Sequence, residues 1–579
     1  ALARLHERRI MVRLVKGAYW DTEIKLSQVG GYGDYPVFTR KVATDVSYLA
    51  CAKILIEGGD AIYPAFATHN AYTVAAIRTL AKAKNTTIEF QRLHGMGEEL
   101  YAALAKMEGN ARTPVRIYAP VGSHKDLLAY LVRRLLENGA NSSFVNRMAD
   151  AEVPASDLAN DPVAELAALE PRRNPSIPLP ADIFPGRVNS AGIDLADPLV
   201  REPLMERLDG IGDRHWDASP TFPLPDEGES APINAPQDLG HEVGTRRDST
   251  GAEVQAAIDR ALLVQPGWNA LGGERRALLL EAAADAFEEH SDELLSLCRR
   301  EAGKTLLDGV LELREAVDFL RYYAVEARRM FSHPLALPGP TGEENRLTMA
   351  GRGVFATISP WNFPLAIFIG PAAAALAAGN TVIAKPAEQT PLIAALAIDL
   401  CHQAGIPKDV LQLVPGDGSV GAALTSDPRI AGVAFTGSTG TAHLINRSLA
   451  AREGLIGTLI AETGGQNAMI VDSSALPEQV TRDVIAAAFQ SAGQRCSALR
   501  VLYLQDDVAD AMLTMIKGAF QALVVGDPVE LATDVGPVID EDAKAKLEEH
   551  VAEMQAAGFP VTRLPLPPHC ADGHFVAPT

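Results

Sequence analysis

The sequence predicts an α/β protein built from two globular regions and a connector between them. Three observations predict this organisation. Residues 1–150 alternate short apolar runs with helical segments, residues 151–249 are rich in proline, and residues 250–579 begin with helices and then alternate strands and helices. Such alternation is typical of a parallel sheet, either doubly wound or closed as a (β/α)8 barrel. A chain of 579 residues has room for about three or four domains.

Composition limits the classes of function. Lys and Arg number 52 and Asp and Glu number 73, so the formal net charge is −21, and such an acidic chain is a poor non-specific binder of nucleic acid. The five cysteines show no CxxC spacing, which argues against a disulfide framework or a zinc ribbon and favours a reducing cytosol. No apolar run reaches the roughly 18 residues of a membrane span. We expect a cytoplasmic enzyme with no metal site.

The first region contains five predicted strands and four predicted helices. The strands are Ile10–Val15, Ala61–Ala65, Thr87–Phe90, Val115–Tyr118 and Ser143–Val145. The helices, which have apolar residues three and four apart, are Val42–Glu57, Tyr72–Lys82, Glu98–Met107 and Leu127–Glu137. Five units cannot close an eight-fold barrel, so we expect an incomplete barrel whose first strands precede Ala1. The lack of an initial Met and the Pro-rich end at Thr579 also suggest a piece of a longer protein.

The connector and the second region continue this pattern. In the connector, short helices are predicted near Asp161–Leu169 and Pro198–Arg207. The second region should begin with the helices Ala252–Leu263, Glu274–Glu289, Leu294–Glu301 and Leu306–Arg329. Its predicted strands, each followed by a helix, are Val354–Ile358, Thr381–Ala384, Leu411–Val414 and Gly432–Phe435.

Three short segments of the second region carry side chains suited to covalent catalysis. They read Pro-Trp-Asn-Phe-Pro around Asn362, Glu-Thr-Gly-Gly from Glu462, and Gly-Gln-Arg-Cys ending at Cys496. Together they supply a nucleophilic thiol, a carboxylate and an amide able to donate to an oxyanion. Each residue alone is more often a packing, turn or capping residue, so the argument depends on their common order.

That order resembles the aldehyde dehydrogenase superfamily, with Lys-Pro-Ala-Glu at 385–388 and Phe-Thr-Gly-Ser at 435–438 in between. The resemblance covers residues 250–579. It implies an aldehyde-dehydrogenase-type doubly wound NAD-binding part plus a catalytic part. It also implies that Cys496 attacks an aldehyde carbon, that Asn362 and the backbone N–H of Cys496 hold the oxyanion, and that Glu462 activates water to hydrolyse a thioester.

The same resemblance implies an NAD site at the strand ends. Lys385 and Glu388 match positions that hold the adenosine ribose hydroxyls, and Ser438 matches the residue that faces the pyrophosphate at a helix N-terminus. The literal GxGxxG at 416–421 is interpreted as a decoy, because no acidic residue follows at the spacing of a dinucleotide-binding motif. Gly-Lys-Thr at 303–305 is not a P-loop, because the glycine required upstream is missing.

Polar and aromatic residues follow the predicted strands of the first region, where barrel enzymes carry their chemistry. The segments start at Arg13 (RLVKGAYW), Phe66 (FATHN), Leu93 (LHGMG) and Tyr118 (YAP). On the next predicted helix, Arg133 and Arg134 are adjacent. Adjacent arginines usually face solvent, but a pair between aromatic and acidic neighbours also suits a bidentate carboxylate clamp.

These segments resemble the flavin-dependent proline dehydrogenase barrel from its fourth to its eighth strand. With the second region, the whole chain resembles the bifunctional proline utilization A family. The resemblance implies that FAD is bound by Arg13, Lys16, Trp20, Thr68, His69 and Glu137. It implies that Arg133 and Arg134 bind the proline carboxylate and that the substrate pocket is lined by Tyr19, Leu93, Tyr118 and Tyr130.

The resemblance implies two reactions of proline catabolism. FAD-dependent oxidation of L-proline gives pyrroline-5-carboxylate, and NAD-dependent oxidation of L-glutamate γ-semialdehyde gives L-glutamate through a cysteine thioester. It also implies a homo-oligomer, membrane quinone as electron acceptor, and a cytoplasmic protein peripheral to the inner membrane. Two alternatives stay open: a monofunctional aldehyde dehydrogenase with a degenerate barrel, and an additional proline-responsive DNA-binding repressor if a further domain precedes residue 1.

Parts of both expected sites are not found in the sequence. The family's proline site also uses residues of the first three barrel strands. In the second region, the Glu-x-Phe-Gly-Pro segment that holds the nicotinamide ribose is not found before Thr579. We therefore expect both sites to be incomplete in this chain, and the isolated fragment to be inactive.

Overall fold

The computed structural model describes residues 2–17, 20–109, 112–123, 127–128, 130, 132, 160–225 and 230–579. The chain divides into two compact units, Ala1–Val29 with Gly33–Pro180, and Gly30–Tyr32 with Ala181–Thr579. Within the described residues, no helix has both the length and the apolar character needed to cross a membrane.

The first unit is built from strand–helix repeats. Its strands β1 to β4 are Ile10–Val15, Ile62–Ala67, Glu89–Leu93 and Val115–Tyr118. They are all parallel and lie in the order β1-β2-β3-β4. Helices α1 to α6 are Leu2–Leu5, Trp20–Gly30, Lys41–Glu57, Ala71–Lys84, Glu98–Glu108 and Pro162–Ala167. The predicted strand Ser143–Val145 and most of the predicted helix Leu127–Glu137 lie outside the described residues.

The two faces of this sheet differ in polarity. On the helix side Phe66 and Phe90 are fully buried, with ring centres 6.5 Å apart, and Tyr101 packs 5.8 Å from the Phe90 ring. Successive strand residues point to opposite faces, so the other face carries Arg13 and Gln91, which hydrogen-bond to each other. The apolar face forms the core, and the polar face and strand ends are left for chemistry.

The second unit begins with helices and a small sheet. Helices α7 to α11 are Pro198–Gly210, Gly251–Ala270, Gly272–Glu289, Ser291–Arg300 and Leu306–Phe331. Strands β5 to β7 are Trp216–Ala218, Ser230–Ala235 and Asp238–Arg247. Their order is β5-β7-β6, with β5 parallel and β6 antiparallel to β7.

No strands are predicted from the sequence in residues 151–249, whereas the structure forms this small sheet there. Pro232 and Gly244 interrupt the pattern that is typical of a strand. Gly244 fits here because of close packing, since a Cβ at this position would lie 2.0 Å from the carbonyl oxygen of Trp216 on the neighbouring strand. Tertiary pairing, which a local pattern does not reveal, forms these strands.

A five-stranded parallel sheet forms the centre of the second unit. Strands β10 to β14 are Val354–Ile358, Thr381–Lys385, Leu411–Leu413, Ile430–Gly437 and Thr458–Thr463, and helices α12 to α15, which connect them, are Ala366–Ala377, Pro391–Gln403, Gly418–Ser426 and Thr439–Ala450. The order is β12-β11-β10-β13-β14. The order reverses between β10 and β13, which makes the sheet doubly wound and puts its switch point there. The predicted α/β fold class is confirmed.

The remaining elements of the second unit come before and after this sheet along the chain. A hairpin precedes it, with strands β8 and β9 at Leu335–Leu337 and Asn345–Leu347. After it come β15 and β16, a parallel pair at Ala468–Val471 and Val501–Leu504. Helices α16 to α18 are Pro477–Phe489, Asp506–Gln521 and Glu541–Ala556. Cys496 lies in the turn between α16 and β16.

Candidate functional sites

The carboxyl edge of the five-stranded sheet gathers the residues predicted for the second unit. Asn362 follows β10, Lys385 ends β11, Ser438 follows β13, and Glu462 lies near the end of β14, paired in register with Thr436. In open parallel sheets, ligands bind outside the carboxyl ends of the strands at the switch point. Here that point lies between the Asn362 segment and Ser438, so the topology brings these predicted residues to one edge.

Ser438 begins the helix after β13. Its hydroxyl accepts a hydrogen bond from the backbone N–H of Thr441 at 3.1 Å and thereby caps α15. Ser438 is exposed. A capped helix N-terminus at a switch point favours an anion, because the remaining N–H groups of the first turn point outward with the positive end of the helix dipole. This geometry fits the pyrophosphate of NAD.

Lys385 is held at the end of β11, where it is only 4% exposed. Its Nζ donates to the Pro386 carbonyl oxygen at 2.9 Å and lies 3.8 Å from the Glu388 carboxylate. Burial lowers the pKa of the Lys385 ammonium group, and the Glu388 charge opposes this. The Arg246 guanidinium donates to the Glu388 carbonyl oxygen and fixes the loop. An ammonium donor beside a carboxylate acceptor fits the paired hydroxyls of a ribose.

The turn before Cys496 is conformationally strained. Ser491, Ala492 and Gly493 all have left-handed backbones, with φ of 53°, 55° and 71°. For the two residues that carry a Cβ, this costs roughly 1–2 kcal/mol each. Strain of this kind persists only where surrounding contacts hold it in place. Cys496, which follows this turn, is exposed.

Gln494 supplies those contacts. Its side-chain amide donates to the carbonyl oxygens of Ser491 at 3.1 Å and Pro537 at 3.3 Å, and its Oε1 accepts from the Ile539 N–H at 3.0 Å. The Gly-Gln-Arg-Cys motif contains Gln494, but the sequence alone predicts no role for it. Its position two residues before the predicted nucleophile is the signal that could have found it.

Asn362 is tied to the same turn. Its Nδ2 donates to the backbone carbonyl of Gln494 at 2.9 Å. A primary amide carries two N–H bonds, so this contact uses one of them and fixes the orientation of the other. The Ser359 N–H also donates to the Lys385 carbonyl at 3.2 Å, which joins the ends of β10 and β11. The structure therefore connects Asn362 to the Cys496 turn.

Asn467 holds the Cys496 turn from the other side. Its Nδ2 donates to the carbonyl oxygens of Cys496 at 2.7 Å and Ala498 at 3.0 Å. Asn467 lies in the loop that follows the Glu-Thr-Gly-Gly motif of Glu462, so this loop and the thiol turn are directly hydrogen-bonded. Glu462 itself is exposed on β14. From the sequence alone, no role is predicted for Asn467.

In the first unit, four side chains form a chain of hydrogen bonds across the sheet. Arg13 Nε donates to Gln91 Oε1 at 2.8 Å, and Gln91 Nε2 donates to Glu89 Oε1 at 2.9 Å. Arg116 then binds both oxygens of Glu89, at 2.7 and 2.8 Å. The Arg116 hydrogen bonds hold the pKa of the Glu89 carboxyl below its usual value. Of these four, the sequence analysis named only Arg13, although alternating polar residues at 89 and 91 could have indicated the row.

Lys16 follows β1 directly and is half-buried. It forms an ion pair with Asp45 and lies 5.4 Å from the centre of the Tyr48 ring. Burial lowers the pKa of the Lys16 ammonium group, and the Asp45 hydrogen bond opposes this. The Tyr48 hydroxyl is within hydrogen-bond distance of the carbonyls of Leu14, at 3.1 Å, and Ala67, at 3.2 Å. Lys16 therefore has a fixed place at the edge where β1 and β2 end.

Thr68 and His69 continue this edge after β2. The Thr68 carbonyl accepts from the Tyr101 hydroxyl at 2.7 Å. His69 Nε2 accepts from the Leu93 N–H at 3.3 Å and so links the ends of β2 and β3. Gly97 allows the ring to sit there, since its φ is +66° and a Cβ would lie 2.9 Å from His69 Cδ2.

Three further residues predicted for the first unit are Trp20, Tyr118 and Tyr130. Trp20 Nε1 donates to the Phe38 carbonyl at 2.8 Å, Tyr118 ends β4 and is exposed, and Tyr130 is half-buried. The structure brings Lys16, Thr68, His69, Leu93 and Tyr118 to one strand-end edge, and Arg13 lies within β1 of the same sheet. Tyr19, Arg133, Arg134 and Glu137 lie outside the described residues.

This edge suits a flavin. The Arg13 guanidinium lies on the polar face of the sheet and Lys16 directly follows the end of β1, and a cation near the N1/N5 edge stabilises the negative charge of a reduced flavin ring. Among the described residues, this is where donors and strand ends converge in the first unit.

Comparison with known proteins identifies a family for each of the two regions. The model of the "Proline dehydrogenase" family matches residues 1–147, and that of the "Aldehyde dehydrogenase family" matches residues 224–579. The bifunctional protein PutA of Salmonella typhimurium is 51% identical over 97% of this chain and 43% of its own length. The chain thus spans about half the length of the curated relatives it matches.

Solved structures show the same two-part likeness. A variant of Bradyrhizobium japonicum proline utilization A has a TM-score of 0.88 at 51% identity, covering 100% of this chain and 55% of that one. A 1-pyrroline-5-carboxylate dehydrogenase from Thermus, described with bound NAD, has a TM-score of 0.64 at 30% identity, covering 69% and 78%.

Proposed function

Because the chain belongs to the aldehyde dehydrogenase family over residues 224–579 and carries a proline dehydrogenase segment before it, we propose that it performs two successive oxidations of proline catabolism. The first converts L-proline to pyrroline-5-carboxylate with FAD. The second converts L-glutamate γ-semialdehyde, the hydrated and opened form of that product, to L-glutamate with NAD. The observation that carries the proposal is the Cys496 turn, which is held by hydrogen bonds from Asn362 to the Gln494 carbonyl and from Asn467 to the Cys496 carbonyl.

In the second reaction, Cys496 reacts as its thiolate, and Sγ forms a bond to the aldehyde carbon. The carbonyl electrons move to the oxygen, and this oxyanion accepts hydrogen bonds from the free N–H of Asn362 and the backbone N–H of Cys496. NAD, when bound, supplies the acceptor for the hydride that leaves this carbon. The strained turn and its Gln494 contacts support this role, because they hold the thiol and its oxyanion donors in fixed relation.

The thioester that remains on Cys496 is then hydrolysed. Glu462 takes a proton from water, the water oxygen bonds to the thioester carbon, and the Cys496 thiolate leaves with the electrons of the C–S bond. The exposed position of Glu462 on β14, connected through its loop to Asn467 and the Cys496 turn, supports access for water. Lys385, Glu388 and Ser438 hold NAD.

In the first reaction, Arg133 and Arg134 bind the carboxylate of proline, and Tyr19, Leu93, Tyr118 and Tyr130 line its pocket. FAD, when bound, accepts the two electrons that proline loses. Arg13, Lys16, Trp20, Thr68, His69 and Glu137 hold it. The hydrogen-bonded row from Arg13 to Arg116 supports this assignment, because it fixes the guanidinium of Arg13 on the polar face of the sheet.

We extend the proposal to electron transfer, location and assembly. A reduced flavin needs an acceptor, and a membrane quinone would fill this role for a cytoplasmic protein peripheral to the inner membrane. A homo-oligomer is supported by the β8–β9 hairpin, where Leu335, Leu337 and Leu347 are 61%, 43% and 47% exposed and suit coverage by a second copy. Light scattering of the whole protein tests the assembly, and quinone reduction in vesicles tests the acceptor.

One pair of assays tests the two reactions together. In the whole protein expressed from its gene, Cys496→Ala should abolish NAD reduction with glutamate semialdehyde and leave proline-dependent dye reduction unchanged. Retained NAD reduction would contradict the thiol mechanism. Absence of proline-dependent dye reduction in the unmodified protein would favour a monofunctional aldehyde dehydrogenase with a degenerate barrel.

A further inference from the structure

Three buried acidic side chains of one short stretch reach three different loops of the aldehyde site. They are Glu301, Asp308 and Glu312, which are 1%, 5% and 1% exposed. We call residues 301–312, which run from the end of α10 into α11, the anchor segment. Burying a carboxylate is costly unless it accepts hydrogen bonds, so the partners of these three groups indicate what the anchor segment does.

Glu301 binds the helix that follows the Lys385 loop. Its Oε1 accepts from the Leu392 N–H at 2.7 Å and its Oε2 from the Ile393 N–H at 2.9 Å. These are the first free N–H groups of α13, and the residue at its N-cap, Thr390, makes no side-chain capping bond. Glu301 therefore takes the place of a local cap. It fixes the point where the loop carrying Lys385 and Glu388 ends.

Glu312 does the same for the helix that follows Asn362. Its Oε1 accepts from the N–H groups of Leu365 at 2.9 Å and Ala366 at 3.0 Å, and α12 likewise has no side-chain cap of its own. The Lys304 ammonium pairs with the other oxygen of Glu312 at 2.9 Å and lies 4.7 Å from the centre of the Phe363 ring. The Lys304–Glu312 pair thus holds the exit of the Asn362 segment at two points.

Asp308 reaches the thiol turn through one intermediary. Its Oδ1 accepts from Gln490 Nε2 at 2.7 Å, and Gln490 Oε1 accepts from Arg495 Nη1 at 2.6 Å. Arg495 directly precedes Cys496. The third carboxylate of the anchor segment is therefore connected to the backbone that presents the thiol.

A buried carboxyl group that accepts backbone N–H groups also occurs at Glu253, away from these loops. Glu253 is 3% exposed, and it accepts from the N–H groups of Leu224 at 2.7 Å and Thr250 at 2.8 Å and pairs with Arg247. It forms a local capping box for α8, and the hydrogen-bond and ion-pair partners named above lie outside the loops of Asn362, Lys385 and Cys496. Glu253 therefore provides a matched control for the cost of losing a buried, helix-capping carboxylate.

We propose that the anchor segment positions the three loops of the aldehyde site independently, with Glu301 setting the NAD loop, Glu312 the oxyanion-donor loop and Asp308 the thiol turn. This rests on the proposed function of the second unit. Because each carboxylate binds a different loop, loss of each one should damage a different step of the reaction. A segment that only stabilised the fold would damage all steps together.

The test uses three variants of the whole protein and three readouts. The readouts are the Kd for NAD from fluorescence quenching, the rate of alkylation of Cys496 by iodoacetamide followed by peptide mass spectrometry, and kcat with glutamate semialdehyde. Glu301→Gln should raise the Kd for NAD by about tenfold and leave alkylation unchanged, since the swap replaces an acceptor oxygen by a donor. Asp308→Leu should change the alkylation rate by about tenfold and leave the Kd unchanged, and Asp308→Asn should restore it.

Glu312→Gln completes the set. It should leave the Kd for NAD and the alkylation rate unchanged while lowering kcat by about tenfold or more, because it displaces a donor that acts only on the oxyanion. Glu253→Gln should lower the melting temperature and leave all three readouts unchanged. If a Gln variant fails to fold, Glu301→Asp or Glu312→Asp replaces it, since the shorter side chain keeps the carboxyl group and loses reach.

Two results would overturn the proposal. One is that all three anchor variants shift the three readouts together, and the other is that they lower only the melting temperature, as Glu253→Gln should. Failure of the proposed function itself is distinguishable. It would appear as semialdehyde oxidation by Cys496→Ala with an intact anchor segment, and it would leave the NAD and alkylation readouts interpretable.

Discussion

The two units place polar side chains at the ends of parallel strands, but they hold them in different ways. In the first unit the side chains bond to one another, as in the row from Arg13 through Gln91 and Glu89 to Arg116. In the second unit Asn362 and Gln494 bond to backbone groups of the neighbouring loops. The first arrangement fixes charges and the second fixes backbone geometry. Substitutions should therefore act mainly on ligand binding in the first unit and mainly on turnover in the second.

Loss of the oxyanion donor should give the largest effect. Asn362→Ala should lower kcat for semialdehyde oxidation by about 10²–10³-fold, because one preorganised donor to an oxyanion contributes roughly 2.7–4 kcal/mol to the transition state. The Kd for NAD should change little. Asn345→Ala is the control, since the Asn345 amide donates to the Pro338 carbonyl in the exposed hairpin. An unchanged kcat in Asn362→Ala would contradict the claim that the second unit acts on turnover through fixed backbone geometry.

A charge lost from the first unit should act on binding instead. Arg133→Met should raise the KM for proline by roughly tenfold or more, because loss of a charged hydrogen bond to a carboxylate costs about 1.5–3 kcal/mol. The expected kcat with an artificial dye is nearly unchanged. Steady-state kinetics at several proline concentrations separate the two constants. A KM equal to that of the unmodified protein would contradict the proposal that Arg133 binds the proline carboxylate.

The pH dependence of stability tests the burial of Glu301. Burial raises the pKa of Glu301 to about 8 from 4.5, against the opposing hydrogen bonds of Ile393 and Leu392. Between these two values the unfolded chain ionises while the folded one keeps its proton. The contribution to stability is therefore present below pH 4.5 and is lost as the pH rises through 8, with a slope of up to about 1.4 kcal/mol per pH unit.

Calorimetry of the whole protein between these pH values measures this slope. The relevant transition is the one that NAD shifts to higher temperature. Glu301→Gln should flatten the decline, since the amide does not titrate. An equally steep decline in Glu301→Gln would show that another group causes it.

Removing the helix cap at the pyrophosphate position should have the smallest effect. Ser438→Ala loses the hydrogen bond to the Thr441 N–H, which costs about 1 kcal/mol, and should raise the Kd for NAD by about threefold to tenfold. Thr250→Ala removes the cap of α8, at a similar cost in stability and with no change in NAD binding. Equal NAD affinities in the two variants would argue against a cofactor role for Ser438.

The sequence predicted local elements well where one pattern persists along the chain. Strands Ile10–Val15 and Val354–Ile358 have their predicted bounds, because each is a continuous run of mostly apolar residues. Thr458–Thr463 was missed as a strand. It lies beside the Glu-Thr-Gly-Gly motif, and its pairing with β13 depends on residues more than twenty positions away.

The contacts that shape the site could not be predicted from local sequence patterns, because they join residues far apart in the chain. Asn362 bonds to a carbonyl 132 residues later in the chain, and Glu301 caps a helix 91 residues later. A single sequence contains no periodicity that joins such positions. Motif order identified the side chains that carry the chemistry, whereas the residues that hold them required the structure.

Direct observation of the acyl-enzyme tests the central claim, that Cys496 carries the aldehyde carbon during oxidation. The whole protein with Glu462→Gln is mixed with glutamate semialdehyde and NAD, quenched in acid and digested for peptide mass spectrometry. The account predicts that the peptide containing Cys496 gains the mass of the acyl group, and that hydroxylamine removes it, as it does for a thioester. An acyl group on another cysteine, or NAD reduction with no acylated peptide, would contradict it.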